Sequence, residues 1–186
     1  MTEKNKLGMV LFLLSESVFF VLLILAYVTY HRSHGNGPTA ADSLNVGKTA
    51  LFSLFLLASS FTAWRAETGF RRSDRRGKVL VWLGVTIAFG ITFLIGQGLE
   101  YADLIGRNIT ISRDLFGTTF FTLTGFHGLH VTAGLIMLGA LLWMLRRTAS
   151  RPAKPAAFEV VALYWHFVDG VWVLIFGVVY LWAFFG

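Results

Sequence analysis

The chain has 186 residues, 55% of them hydrophobic and 14% charged. Soluble domains carry about 25% charged residues, so a water-soluble globule is excluded, and the apolar content suffices for about five bilayer-spanning helices of about 20 residues each. With no cysteine and five histidines, the chain cannot build a disulfide framework, a thiolate-held iron–sulfur or copper site, or a covalent c-type haem attachment. The net charge of +6 comes from Lys and Arg scattered between apolar runs. That pattern serves topology and anionic lipid headgroups, and it argues against nucleic acid as a partner.

In chain order the apolar runs are residues 7–30, 46–64, 79–99, 116–145 and 158–185. Each is long enough to span a bilayer. The first follows Lys4 and Lys6 as a signal peptide would, but it is too long and lacks a small-residue cleavage site, so it is expected to remain as a helix. Pro38, Pro152 and Pro155 all fall between runs, which predicts five uninterrupted helices. The expected fold is an all-α integral membrane bundle of five transmembrane helices, one domain over residues 1–186. If the N-terminus is cytoplasmic, that side carries twelve Lys and Arg: Lys4, Lys6, Arg65, Arg71, Arg72, Arg75, Arg76, Lys78, Arg146, Arg147, Arg151 and Lys154. The other side carries four, Arg32, Lys48, Arg107 and Arg113. The positive-inside rule then puts the N-terminus in the cytoplasm and the C-terminus outside. An odd span count with no visible repeat disfavours an inverted-repeat transporter.

Chemistry must come from the few ionisable residues inside the spans, which are costly in hydrocarbon and turn toward protein. Glu16 lies about 14 Å into the first helix, near mid-membrane. Gln97 and Glu100 close the third helix at its outer end. His127 and His130 lie about 15 to 20 Å into the fourth, and His166 and Asp169 reach a similar depth in the fifth. Three of these pairs are spaced i, i+3, about 60° apart on one helix face. Gly125, Gly128 and Gly134 surround the two histidines and are expected to let another backbone approach. Ser53, Ser59, Ser60 and Thr62 give the second helix a small polar surface, although such hydroxyls can bond their own backbone. Most of the aromatic residues, Trp143, Trp165, Trp172, Tyr164, Tyr180 and Trp182 among them, read as packing and interface anchors.

Three uses of the cluster stay open on spacing alone. Imidazole and carboxylate can ligate a metal, but no open coordination position or added base is evident. The same groups can satisfy each other in an interhelical hydrogen-bond network, with a histidine paired to Asp169, or pass protons. For Glu16 the choice is between a neutral acid donating one hydrogen bond and a proton-exchanging site.

The stretches GMVLFLLSESVFF at 8–20, QGLEY at 97–101, FTLTGFHGLHV at 121–131 and YWHFVDGVW at 164–172 closely resemble subunit III of the haem-copper terminal oxidases. Four motifs in the right order cover almost the whole chain, and the last two are highly specific. The resemblance is to the shorter, five-helix bacterial form. It places Glu16 at the family's buried helix carboxylate, and His127, His130, His166 and Asp169 at its polar core positions. Gly170 after the Asp and Ser17 after Glu16 depart from the usual residues without removing a polar core position. The resemblance implies a multi-pass subunit of a bacterial cytoplasmic (inner) membrane, with no haem, copper or other cofactor in this chain. Haem and copper would be held by subunit I, the main partner, with subunit II and other oxidase subunits nearby. Its implied role is to stabilise the binuclear centre, support proton uptake and hold phospholipid near the oxygen path. A cytochrome c oxidase is the expectation; a quinol oxidase or a nitric oxide reductase-associated complex are the alternatives within the family. Outside it, an intramembrane metalloenzyme or a proton-coupled carrier remains conceivable.

Overall fold

The structure, a computed structural model, describes residues 3–31, 44–72, 75–112, 115–147 and 155–182. Arg32, Pro38, Arg113, Arg151, Pro152 and Lys154, which entered the topology reading, lie outside the described residues. Among the described residues, five helices are long and apolar enough to cross a membrane. They are α1 (Glu3–His31), α2 (Val46–Arg71), α3 (Arg76–Gly106), α4 (Leu115–Arg147) and α5 (Pro155–Phe176), the last continued by a π-helical turn, Gly177–Leu181. Among the described residues there is no strand.

The helices overrun the apolar runs at several ends, α2 to Arg71 and α3 to Gly106. Hydrophobicity marks only the stretch that hydrocarbon would cover, whereas intrahelical hydrogen bonding continues into the polar headgroup zone. Asn45 starts α2, its side chain accepting the Lys48 N–H at 3.1 Å; such a cap satisfies one of the unpaired donors of a first turn. After α3 the chain turns through Asn108 at φ 62°, a left-handed conformation that Asn tolerates better than most residues. Pro155 precedes the last candidate span and is the first residue of α5, where its missing N–H costs nothing. One expectation needs correction: α5 is not uninterrupted, because its end widens into the π turn, in which Val179 and Tyr180 are buried.

Two helices organise the bundle. The α5 helix lies against α1, α2 and α4, while α4 also meets α1 and α3, and α2 packs most extensively on α3. Burial on α1 falls on Leu13, Phe20 and Tyr27, seven residues apart and therefore on one face turned to α4 and α5. The opposite face of α1 is bare: Leu11, Leu14, Val18, Leu22 and Leu25 are all more than half exposed. An apolar surface of that extent suits lipid or a partner subunit. The core around α5 is aromatic, with Trp165, Trp172, Phe93, Phe120 and Tyr180 all at most 2% exposed.

Small residues make room for these rings. A Cβ on Gly134 would stand 2.7 Å from the Trp165 ring, one on Gly128 would meet the Gln97 amide at 3.0 Å, and one on Gly125 would meet the Tyr101 hydroxyl at 3.7 Å. These three glycines of α4 thus receive side chains from α3 and α5, and not the backbone approach that small residues in membrane helices suggest.

Candidate functional site

The site is a set of interhelical polar ties threaded through the aromatic core. On α1, Glu16 sits one turn from both Leu13 and Phe20 at the edge of the buried face. Its Oε2 lies 3.0 Å from Nε2 of His130 on α4. His130 Nδ1 is 2.7 Å from the Phe126 carbonyl oxygen. A carbonyl can only accept, so Nδ1 carries a proton. Nε2 then either accepts from a neutral Glu16 or, protonated, donates to its carboxylate. In both forms the pair holds one shared proton and no net charge, the cheap arrangement at this depth. Tyr164 on α5 donates to the His130 carbonyl at 3.1 Å, so three helices meet here. The partner of Glu16 comes from another helix, which is why inspection of α1 alone shows none.

Because one shared proton couples them, Glu16→Gln and His130→Gln are expected to be non-additive. A double-mutant cycle on unfolding of the chain in detergent should give a coupling of roughly 0.5–3 kcal/mol, and additivity would remove the pair from the account.

His127, one turn before His130, points elsewhere. It is fully buried, stacked on Trp172 with centroids 4.9 Å apart, and edge-on to Phe93 and Phe20 at 5.9 and 6.3 Å. Neither ring nitrogen has a hydrogen-bond partner among the described residues, and the same holds for both oxygens of the buried Asp169. The expected pairing of Asp169 with a histidine is therefore not made. The His127 ring fills a slot between aromatic rings. His166, one turn before Asp169, bonds instead through Nδ1 to the Ser60 hydroxyl of α2 at 2.7 Å.

At the other end Glu100 accepts from Thr49 of α2 and from Tyr180 in the π turn, each at 2.7 Å. Gln97 donates to the Thr124 carbonyl of α4 at 2.7 Å, and the Tyr101 hydroxyl meets Thr124 Oγ1 at 2.7 Å. This group ties α2, α3, α4 and α5. The i, i+3 pairs do share helix faces, but 60° of rotation suffices to send their members to different neighbours. The seven residues fall into separate groups, and among the described residues no three His, Asp or Glu side chains form a set that could hold a metal ion.

The hydroxyls of α2 prove more informative than their spacing suggests. Trp165 Nε1 donates to Ser59 at 3.0 Å and Trp172 Nε1 to Ser53 at 2.8 Å, while Thr62 meets Thr86 of α3 at 2.8 Å. Each indole N–H buried in hydrocarbon needs an acceptor, and α2 supplies them on the turn-by-turn spacing at which α5 presents its tryptophans. The near-equal spacings, seven residues between Trp165 and Trp172 and six between Ser53 and Ser59, were the available signal. Thr49, Thr124, Tyr101 and Tyr180 carried none. Trp143, by contrast, is 56% exposed with Arg147 over its ring at 4.7 Å, as an interface anchor should be.

Residues 1–184 match the family model described as Cytochrome c oxidase subunit III. The chain is 40% identical over 176 residues to the probable cytochrome c oxidase subunit 3 of Mycobacterium leprae, covering 93% of this chain and 85% of that one. It is 39% identical over 177 residues to cytochrome c oxidase subunit 3 of Synechocystis sp., covering 94% and 74%. It is also 35% identical over 179 residues to cytochrome bo(3) ubiquinol oxidase subunit 3 of Pseudomonas putida, covering 96% and 86%. With five helices among the described residues long and apolar enough to cross a membrane, and the motif-bearing residues in one continuous bundle, the chain belongs to the cytochrome c oxidase subunit III family of multi-pass membrane proteins.

Proposed function

We propose that the whole chain acts as one non-redox domain that braces subunit I of a haem-copper oxidase, in contact also with subunit II and other oxidase subunits, in a bacterial cytoplasmic membrane. The observation that supports a bracing role is the tie pattern: Glu16–His130, Glu100 with Thr49 and Tyr180, and the two tryptophan–serine bonds fix every helix to at least one other. Haem and copper belong to subunit I in this reading, and Glu16 with the polar residues of α3, α4 and α5 serves packing and proton exchange. Cytochrome c is the proposed donor of the complex. The ubiquinol oxidase relative favours the second reading, a quinol oxidase. Purification of the chain in mild detergent tests both, because the large subunit that comes with it shows its haems and its donor. Recovery without any haem-bearing partner would overturn the proposal.

A phospholipid is proposed beside α2 and α3. A cavity of about 510 Å³ there is lined by Lys48, Phe52, Leu99, Glu100, Arg107 and Trp172 among others, within the about 300–1,000 Å³ usual for small-molecule pockets. Its mouth lies beside Leu51 and Leu99, both more than half exposed, with basic residues at the helix ends for a phosphate.

The charge bias supports an N-terminus in the cytoplasm and a C-terminus outside. A reporter fused to the C-terminal residue is expected to be active only outside, and cytoplasmic activity would reverse the topology.

A further inference from the structure

At the end of the bundle that carries Arg71, Arg72, Arg75, Arg76 and Lys78, a second cavity of about 170 Å³ opens between α1, α2 and α5. Glu67, Arg71 and Glu159 line its mouth and His166 lies on its wall, with Met9 and Leu163 as apolar sides. Arg71 holds Glu67 at 2.8 Å and Glu159 at 3.2 Å, so the mouth is charged and pinned open by an ion triad. A water needs about 10–15 Å³ of such space and polar partners; the cavity has both in excess. From Glu159 to His166 on α5, and from Glu67 to Ser60 on α2, the descent is seven residues, about 10 Å along each helix. The polar line therefore runs down two adjacent helices at one level. It continues behind the cavity: His166 Nδ1 meets Ser60 Oγ at 2.7 Å, and Asp169 follows His166 by one turn of α5. Asp169 is 3% exposed and has no hydrogen-bond partner among the described residues. A buried carboxyl with no partner is costly. Ionisable groups inside membrane proteins characteristically border water or a proton path.

We propose that this cavity is a water-filled, dead-end proton inlet, with His166 and Ser60 carrying protons between its water and Asp169. A hydronium at the cavity gives its proton to Nε2 of His166 and becomes water. The Nδ1 proton passes to Ser60 Oγ as the Ser60 hydroxyl proton passes to an Asp169 oxygen. Release runs the same steps backward, so Asp169 alternates between carboxylate and acid while His166 alternates between its Nδ1–H and Nε2–H tautomers. The inlet is a property of this chain and does not depend on the donor of the complex.

The absence of cysteine from the chain provides a clean test. Single substitutions Ser60→Cys and His166→Cys are compared with Ser59→Cys, the fully buried neighbour, in the purified complex. The probe is 2-aminoethyl methanethiosulfonate, which forms a mixed disulfide with a thiolate and releases methanesulfinate; labelling is read from the mass of this subunit. A thiol bordering water ionises and reacts, whereas one buried in apolar surroundings does not. His166→Cys and Ser60→Cys are expected to label about tenfold or more faster than Ser59→Cys, on that contrast in thiol ionisation, and Leu163→Trp, which narrows the cavity, should slow both. Equal rates for the three would show a dry site and overturn the inlet. The relay is read separately, as the rate at which the Asp169 carboxyl band shifts in heavy water, isolated by subtracting the infrared spectrum of Asp169→Asn at a pH where the band is present. His166→Gln, which keeps a polar side chain but cannot pass a proton through its two nitrogens, should slow that exchange. Unchanged exchange would overturn the relay.

Discussion

Replacing Trp165 by alanine is expected to lower the unfolding free energy by about 3–5 kcal/mol, the usual cost of emptying a fully buried tryptophan site. The ring is wholly buried and lies flush between two helices. A Cβ on Gly90 of α3 would stand 2.8 Å from it, and one on Gly134 of α4 would stand 2.7 Å from it. Neither neighbour can move inward to fill the space without carrying its helix along. The lost indole bond adds less, because Ser59 keeps its bond to the Leu56 carbonyl. Trp165→Phe retains most of the ring contact and should cost only about 0.5–1.5 kcal/mol through the missing N–H···O bond. Trp143→Ala is the contrast. That ring is 56% exposed, with the Arg147 guanidinium over it, so a loss of about 0.5–1 kcal/mol is expected. Unfolding of the three purified variants in detergent should rank them in that order. If Trp165→Ala costs no more than Trp143→Ala, the aromatic core does not hold the bundle together.

That ranking depends on features only partly legible in the sequence. The five helices were readable because hydrocarbon thickness sets a length that apolar runs either meet or fail to meet. Their ends were less so, since hydrogen bonding along a helix does not stop where hydrophobicity does. Intramembrane Glu16, His130 and Glu100 stood out because ionisable groups there are rare, yet their partners did not. Glu16 and His130 are 114 positions apart, and nothing local to α1 says that α4 covers it. The hydroxyls of α2 were discounted because such groups can bond their own helix, and they do: Ser53 donates to the Thr49 carbonyl, Ser59 to Leu56 and Thr62 to Ser59. A hydroxyl that donates inward still has lone pairs to offer, and those receive the two indoles. The π turn is not legible in the sequence, because one extra residue in a run of five leaves no readable change of period. Yet it is in this wider turn that the Tyr180 hydroxyl donates to Glu100.

Removal of the chain from its oxidase complex is expected to leave the haem spectra and the initial rate of oxygen consumption largely intact, and to cause a loss of activity that grows with the number of turnovers. The expectation rests on the proposed bracing role. With no cysteine in the chain, and with the metal-capable side chains of the described residues dispersed among separate ties, the proposal leaves electron transfer to oxygen to the partner. In that role this chain would supply a fixed surface. Its helices are locked to each other by Glu16–His130 and by Glu100 with Thr49 and Tyr180, while the outer face of α1 stays apolar and free to meet lipid or partner. On the proposed role, loss of that surface would slow proton supply to the binuclear centre, so that reactive intermediates would persist longer in each cycle and damage would accumulate turn by turn. Glu16→Ala should reproduce part of the defect, because it leaves His130 without its proton-sharing partner at the α1–α4 seam, and the defect should scale with how much of the chain dissociates from the complex. Oxygen consumption followed over many turnovers, with and without the chain, distinguishes the cases. Loss of the first turnover, or of a haem band, would mean that this subunit takes part in the redox centre directly.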